Sequence, residues 1–146
     1  MNRRNNTEIY RDRSTLRPRN PKGNLLSSVL LTVEDFQAIY ELPYEQFLAE
    51  VIAITNDNGG AIDRNYFNQK AYWKGEIAIA IPFKYTSKRA GSNYIGFNKA
   101  GGLSNGELLY NLAPHVKSNS VDYFYFQGLS TQKDGTYKLE LTYDSW

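Results

Sequence analysis

Seven cations, Arg3, Arg4, Arg11, Arg13, Arg17, Arg19 and Lys22, crowd into residues 1–24, offset only by Glu8 and Asp12. That segment is +5 (seven minus two), and the rest of the chain is −3 (ten minus thirteen). Six of the seven are Arg, whose planar guanidinium forks onto phosphate or carboxylate oxygens better than an ammonium does. A positive tail on a mildly acidic body points to a polyanion or an acidic partner surface. Ile9, Tyr10 and Leu16 add apolar anchors that a purely solvating tail would not need. If these cations met phosphates, affinity would fall with salt, with a slope of about −0.9 per phosphate contacted on duplex.

Other candidate chemistries are thinner. His115 is the sole His and the one side chain whose ordinary pKa suits acid–base work near neutrality. A metal-independent nuclease could pair it with Glu76 as base, and with Lys88 or Arg89 against a charged phosphorane. No local pattern groups these residues, and a His after Pro114 at a helix end is explained by the helix dipole alone. The chain has no Cys, which excludes disulfides, thiolate nucleophiles and Cys-based metal sites. No acid-dense calcium loop and no G-x-S-x-G elbow occurs. The loop Gly96-Phe97-Asn98-Lys99-Ala100-Gly101-Gly102 precedes a helix, as anion-binding loops do, but lacks the Lys-Ser/Thr that follows the second Gly of a P-loop. The expectation is no catalytic residue, no metal and no cofactor, hence a non-enzymatic protein. Tyr94 and Phe97 around Gly96, with the run Tyr123–Phe126, could serve as a stacking platform for single-stranded nucleic acid or as plain core.

The positioning elements follow from periodicity. Residues 1–24 show no apolar period and contain Pro18 and Pro21. Such a segment cannot offset an ordering cost of about 1–2 kcal/mol per residue by burial. It is expected to be an extended arm, ordered only where a partner holds it, with a single α+β domain over 25–146. Leu25–Leu31 is a linker or edge strand. Thr32 with Asp35 approximates a capping box for a helix bearing Phe36, Ile39 and Tyr40. Tyr44, Phe47, Leu48, Val51 and Ile52 then form an amphipathic stripe after Pro43, closed by Asn56–Gly60.

Beyond these one or two helices the period becomes two. Glu76–Tyr85 predicts a strand with Ile77, Ile79, Ile81, Phe83 and Tyr85 on one face and small Ala78 and Ala80 on the other. Pro82 argues that this strand is an edge, or is bulged there. Asn93–Phe97 is a shorter strand. Ser104-Asn105-Gly106-Glu107 is a capping box for a short inserted helix with Leu108, Leu109 and Leu112, ended by Pro114. Val121–Leu129 and Thr136–Tyr143 flank Asp134-Gly135 as a C-terminal hairpin. On its second strand Tyr137, Leu139, Leu141 and Tyr143 should be buried, opposite wet Lys138, Glu140 and Thr142. The first, aromatic on both faces, should be covered on both. The fold class is α+β, with a mainly antiparallel sheet of about four to five strands.

No stretch approaches the ~20 apolar residues of a membrane helix, and no apolar region follows the first Arg pair as in a secretory signal. The 12 Tyr residues suit either strands or interfaces. A basic extended arm on a small Tyr- and Asn-rich body resembles, at the level of architecture, small assembly proteins of viral particles and other large nucleoprotein complexes. That likeness rests on no motif and transfers no residue roles. The function expected is that of a structural protein in the cytoplasm, or in a virion or large assembly built there. Its arm would strap onto other protein subunits, in a homo- or hetero-oligomer, or onto nucleic acid. A single-strand-binding module, an inhibitor of a nucleoprotein machine, and the His115 nuclease are the alternatives.

Overall fold

A computed structural model describes residues 7–10, 24–73, 75–82, 92–116 and 124–142. In chain order the elements are β1 (Thr7–Tyr10), α1 (Val33–Ile39), α2 (Tyr44–Asp57), α3 (Arg64–Asn68), β2 (Glu76–Pro82), β3 (Ser92–Asn98), α4 (Asn105–Leu112), a 3-10 turn (Ala113–His115), β4 (Tyr125–Thr131) and β5 (Tyr137–Thr142). Strands β2 to β5 make a mixed sheet, and β1 adds a fifth strand at its margin, in the order β1-β3-β2-β5-β4. All pairings are antiparallel except β2 with β5, which run parallel. The fold is the expected α+β arrangement.

Local chemistry sets the helices. Thr32 caps α1: its Oγ1 accepts from the Asp35 N–H at 3.1 Å, and the Asp35 carboxylate accepts from the Thr32 N–H at 2.8 Å. Two orphan donors are thereby satisfied reciprocally. Along α2, Tyr44, Phe47, Leu48 and Val51 are buried as their spacing predicts. Ile52 is only half-buried, and Thr55 is buried instead, its hydroxyl accepting from the Leu30 N–H at 3.2 Å. Helix α3 was not anticipated. With Phe67 its one buried residue, it is too short to show a period, and its single sequence signal is the N-cap Asp63.

The core lies between the helices and one face of the sheet, where Phe36 meets Phe126 edge-on at 5.1 Å between ring centroids. Ile77, Ile79, Ile81, Ile95, Phe97, Leu139 and Leu141 belong to it, and Ala78 and Ala80 are buried as well. On β5, buried Tyr137, Leu139 and Leu141 alternate with half-buried Lys138, Glu140 and Thr142. The hairpin turn is held by Asp134, whose Oδ1 accepts from the Thr136 N–H at 2.9 Å, beside Gly135 at φ 89°.

Two strand expectations are corrected. β2 is not an edge: it lies between β3 and β5. Pro82 is its last residue, past the Ile79↔Tyr137 and Ala80↔Lys138 pairs, so its missing N–H takes nothing from the β5 ladder. Nor is the aromatic run that leads into β4 covered on both faces. Phe126 is buried, but Tyr125 is half-buried and Phe124 is partly exposed. The expected extensions to Phe83–Tyr85, Val121–Tyr123 and Tyr143 lie outside the described residues.

The outer edge of β4 is closed by residues 25–32. Leu25 and Leu129 exchange main-chain hydrogen bonds at 2.9 and 2.8 Å, and the Phe126 N–H donates to Leu31 O at 3.0 Å. Leu26, Val29 and Leu31 bury their side chains in the same segment. The approach is tight enough that Leu26 takes φ 61° and Gly128 φ 86°. A Cβ at Gly128 would stand 2.5 Å from Leu25 O.

Candidate interaction surface

The opposite margin of the sheet holds the one strand of the basic arm that the structure describes. β1 runs antiparallel to β3, with Thr7 opposite Phe97, Glu8 opposite Gly96, Ile9 opposite Ile95 and Tyr10 opposite Tyr94. The segment is extended and pairs with this chain's own β3. The reason is geometric: β3 has β2 on one side only, and an unpaired edge is a template for an extended segment. The main-chain ladder by itself is near break-even energetically. Each cross-strand pair contributes about 0.2–1 kcal/mol and each hydrogen bond a net ~0.5–1.5 kcal/mol, against about 1–2 kcal/mol per residue ordered.

Of the residues singled out from the sequence, Ile9 and Tyr10 belong to β1. Arg3, Arg4, Arg11, Arg13, Leu16, Arg17, Arg19 and Lys22 lie outside the described residues. A counterpart for these cations sits elsewhere on the body. Between Leu25 and Asp63 the chain carries seven acids and no Lys or Arg, and Glu34, Glu41, Glu45, Glu50, Asp57 and Asp63 are exposed. The sequence reading missed this because it tallied charge over the whole body, where later Lys residues cancel it. Only Glu45 is answered among these exposed acids by a described ion pair, with Arg64. That hydrogen-bonded guanidinium holds the Glu45 carboxyl below its ordinary range.

A second exposed feature is Trp73, 76% accessible, in the loop entering β2. This loop is stitched by its backbone to the turn before α4. The Ala71 N–H donates to Leu103 O at 2.9 Å, the Lys99 N–H to Gly75 O at 2.7 Å, and the Asn105 N–H to Gln69 O at 2.8 Å. Lys70 Nζ adds a bond to Gly102 O at 3.0 Å. Gly102, at φ 84°, lies so close to the Tyr72 carbonyl that no side chain fits there. A large indole held out on an anchored loop is the kind of group that fills a pocket on a partner. The loop enters β2 at Glu76, opposite Asn98 and one step beyond the Thr7↔Phe97 pair, so it stands at the end of the sheet where β1 begins. Sequence reasoning passed over Trp73. Its only signal was a Trp in a segment, Gln69–Gly75, with neither helical nor strand period.

The turn before α4 does not offer an anion site. The Ser104 N–H donates to Glu107 Oε1 at 3.0 Å and the Glu107 N–H to Ser104 Oγ at 3.1 Å, so the helix start is occupied by its own capping box and carboxylate. Partial burial works to raise the Glu107 pKa, but hydrogen bonds from Lys99 and Ser104 outweigh it and hold the group below its usual value. Nearby, Tyr72 has a buried hydroxyl with no hydrogen-bond partner among the described residues. Burial, then the Glu107 charge, push its pKa upward.

Two residues of the nuclease alternative are described. His115 is half-buried in the 3-10 turn after α4, Glu76 opens β2, and Lys88 and Arg89 lie outside the described residues. Of the rings in the stacking alternative, Phe97 and Phe126 are fully buried, Phe124 is exposed, Tyr94 and Tyr125 are half-buried, and Tyr123 lies outside the described residues. An open cleft of about 700 Å³ runs past Thr32, Asp35, Ile54, Asp57 and Tyr125, but among the described residues no three His, Asp or Glu side chains cluster as metal ligands would. No helix among them is long and apolar enough to cross a membrane. Compared with protein-family models, with curated proteins and with solved structures, the chain matches none.

Proposed function

We propose that this chain is a non-enzymatic structural protein, a component of a virus or phage particle or of another large complex put together in the cytoplasm. Its basic arm straps onto neighbouring protein subunits. The observation that carries this reading is β1: part of the arm orders by main-chain addition to a sheet edge, a mode of attachment that needs little side-chain specificity and serves many assembly contacts. Charge supports a protein surface as the target of the remaining arm cations. The acid-only stretch Leu25–Asp63 attracts guanidinium groups and repels phosphate. Trp73 would supply an apolar anchor for the same contact.

The test is the mass of the full-length protein by size-exclusion chromatography with light scattering, at low and high salt. Oligomers are expected at low salt and should dissociate as salt rises. Changing Arg11, Arg13 and Arg17 to Glu should abolish them while leaving the melting temperature of the body nearly unchanged. A wild-type protein that is monomeric at every salt and concentration would overturn the reading. So would an assembly that forms only when nucleic acid is added.

A further inference from the structure

We infer that the strand Thr7–Tyr10 is exchanged between copies of this chain, the β3 edge of one molecule receiving the Thr7–Tyr10 segment of a second. This rests on the assembly reading above and specifies its partner and its contact.

Reach comes first. β1 lies at one margin of the sheet and Leu25 lies beyond β4 at the other. Between them are five inter-strand steps, about 24 Å at ~4.8 Å each. The connecting residues 11–23, fully extended, reach at most about 45 Å. The connection is thus longer than the path across its own sheet needs, and the surplus is enough to deliver the strand to an adjoining molecule.

Equivalence comes second. When the segment lies on another copy's β3, the ladder from Thr7↔Phe97 to Tyr10↔Tyr94 is remade pair for pair. The self-paired and exchanged states then differ only in linker entropy and protein concentration. A β3 edge whose own strand has left exposes main-chain donors and acceptors over Tyr94–Phe97, and the segment that fits them best is another copy's β1. The sheet's other margin cannot compete, because residues 25–32 already occupy it.

Charge favours the encounter without choosing the edge. Arg3 and Arg4 precede the strand and Arg11 and Arg13 follow it, and the acids that answer them lie in Leu25–Asp63. Arm meets that stretch of another copy favourably, arm meets arm unfavourably, and the β3 ladder supplies the register.

The chain lacks Cys, so engineered pairs report cleanly. Tyr10→Cys is made in one full-length chain and Tyr94→Cys in another of different tag length. The two are mixed, equilibrated at the concentration where wild type is oligomeric, and oxidised. A covalent heterodimer on a non-reducing gel is the expected result. Its absence, while the double variant in one chain closes an internal disulfide, overturns exchange. Absence in both arrangements overturns it too, since the pairing itself is then wrong. Should Tyr94→Cys not fold by its thermal melt, Glu8→Cys with Gly96→Cys probes the pair two residues along the ladder, with the same outcomes. Light scattering on wild type separates the two levels: an oligomer without the heterodimer removes exchange but leaves the assembly reading, whereas a monomer throughout removes both.

Discussion

The two margins of this sheet are closed in different ways. Beyond β4, residues 25–32 follow the edge with main-chain bonds to Leu129 and Phe126, bury Leu26, Val29 and Leu31, and run directly into α1. Beyond β3, a strand of 4 residues is joined to the rest of the chain only through residues 11–23. The first closure is backed by apolar burial, which contributes about 1.5–3 kcal/mol per large aliphatic side chain. For the second, the described contact is a short main-chain ladder, whose own gain is close to its ordering cost. An edge sealed by core residues is permanent. An edge sealed by a near-neutral ladder can be handed from one molecule to another.

Breaking the permanent edge should produce the largest effect. Gly128→Ala places a Cβ against Leu25 O and forces a side chain onto a φ of 86°. The left-handed conformation alone costs about 1–2 kcal/mol, and the clash adds to it, so a loss of at least ~2 kcal/mol is expected. Urea denaturation followed by circular dichroism measures it; an unchanged midpoint would mean that residues 25–32 do not pin this edge. Deleting residues 1–10 is the matching experiment at the other margin. The unfolding free energy of the remaining chain should change by less than ~1 kcal/mol, as the balance of ladder and entropy implies, while self-association should be lost. A large destabilisation instead would make β1 an integral strand and erase the contrast.

The smallest expected effect concerns the turn that presents Trp73. Glu107 has a folded-state pKa below its ordinary value, so its charged form is favoured by folding. That contribution is complete above the unfolded pKa of about 4.3 and is lost as the pH falls through the lower folded value. Glu107→Gln keeps the capping geometry and removes the charge. It should cost about 0.3–1 kcal/mol at pH 7, with the difference from wild type vanishing once the pH has fallen through the lowered folded-state pKa. A difference that persists in acid would assign the effect to packing.

Much of the helical layer was legible because its signals are local. Thr32 with Asp35, and Ser104 with Glu107, announce their helices within four residues, and the stripe from Tyr44 to Val51 repeats at the helical period. Of the candidate surface, only the concentration of cations in residues 1–24 could be read from the chain. The exposed Trp73 depends on the Gly102 approach that holds its loop outward. The acid-only stretch was visible as letters but became a surface only once α1 and α2 turned those residues to solvent. The aromatic strands misled for the converse reason: Phe97 and Phe126 look like a platform until the helices cover them.

The sequence by itself determined where α1, α2 and α4 begin, which faces of β2 and β5 carry the large apolar residues, where the hairpin turns and how charge divides between arm and body, since each depends on neighbours a few residues apart. Tertiary structure alone decided that β2 is central despite Pro82, that β2 and β5 run parallel, and that Thr7–Tyr10 rests on β3. Those outcomes depend on which edge is left open when distant segments meet, and no local pattern encodes it.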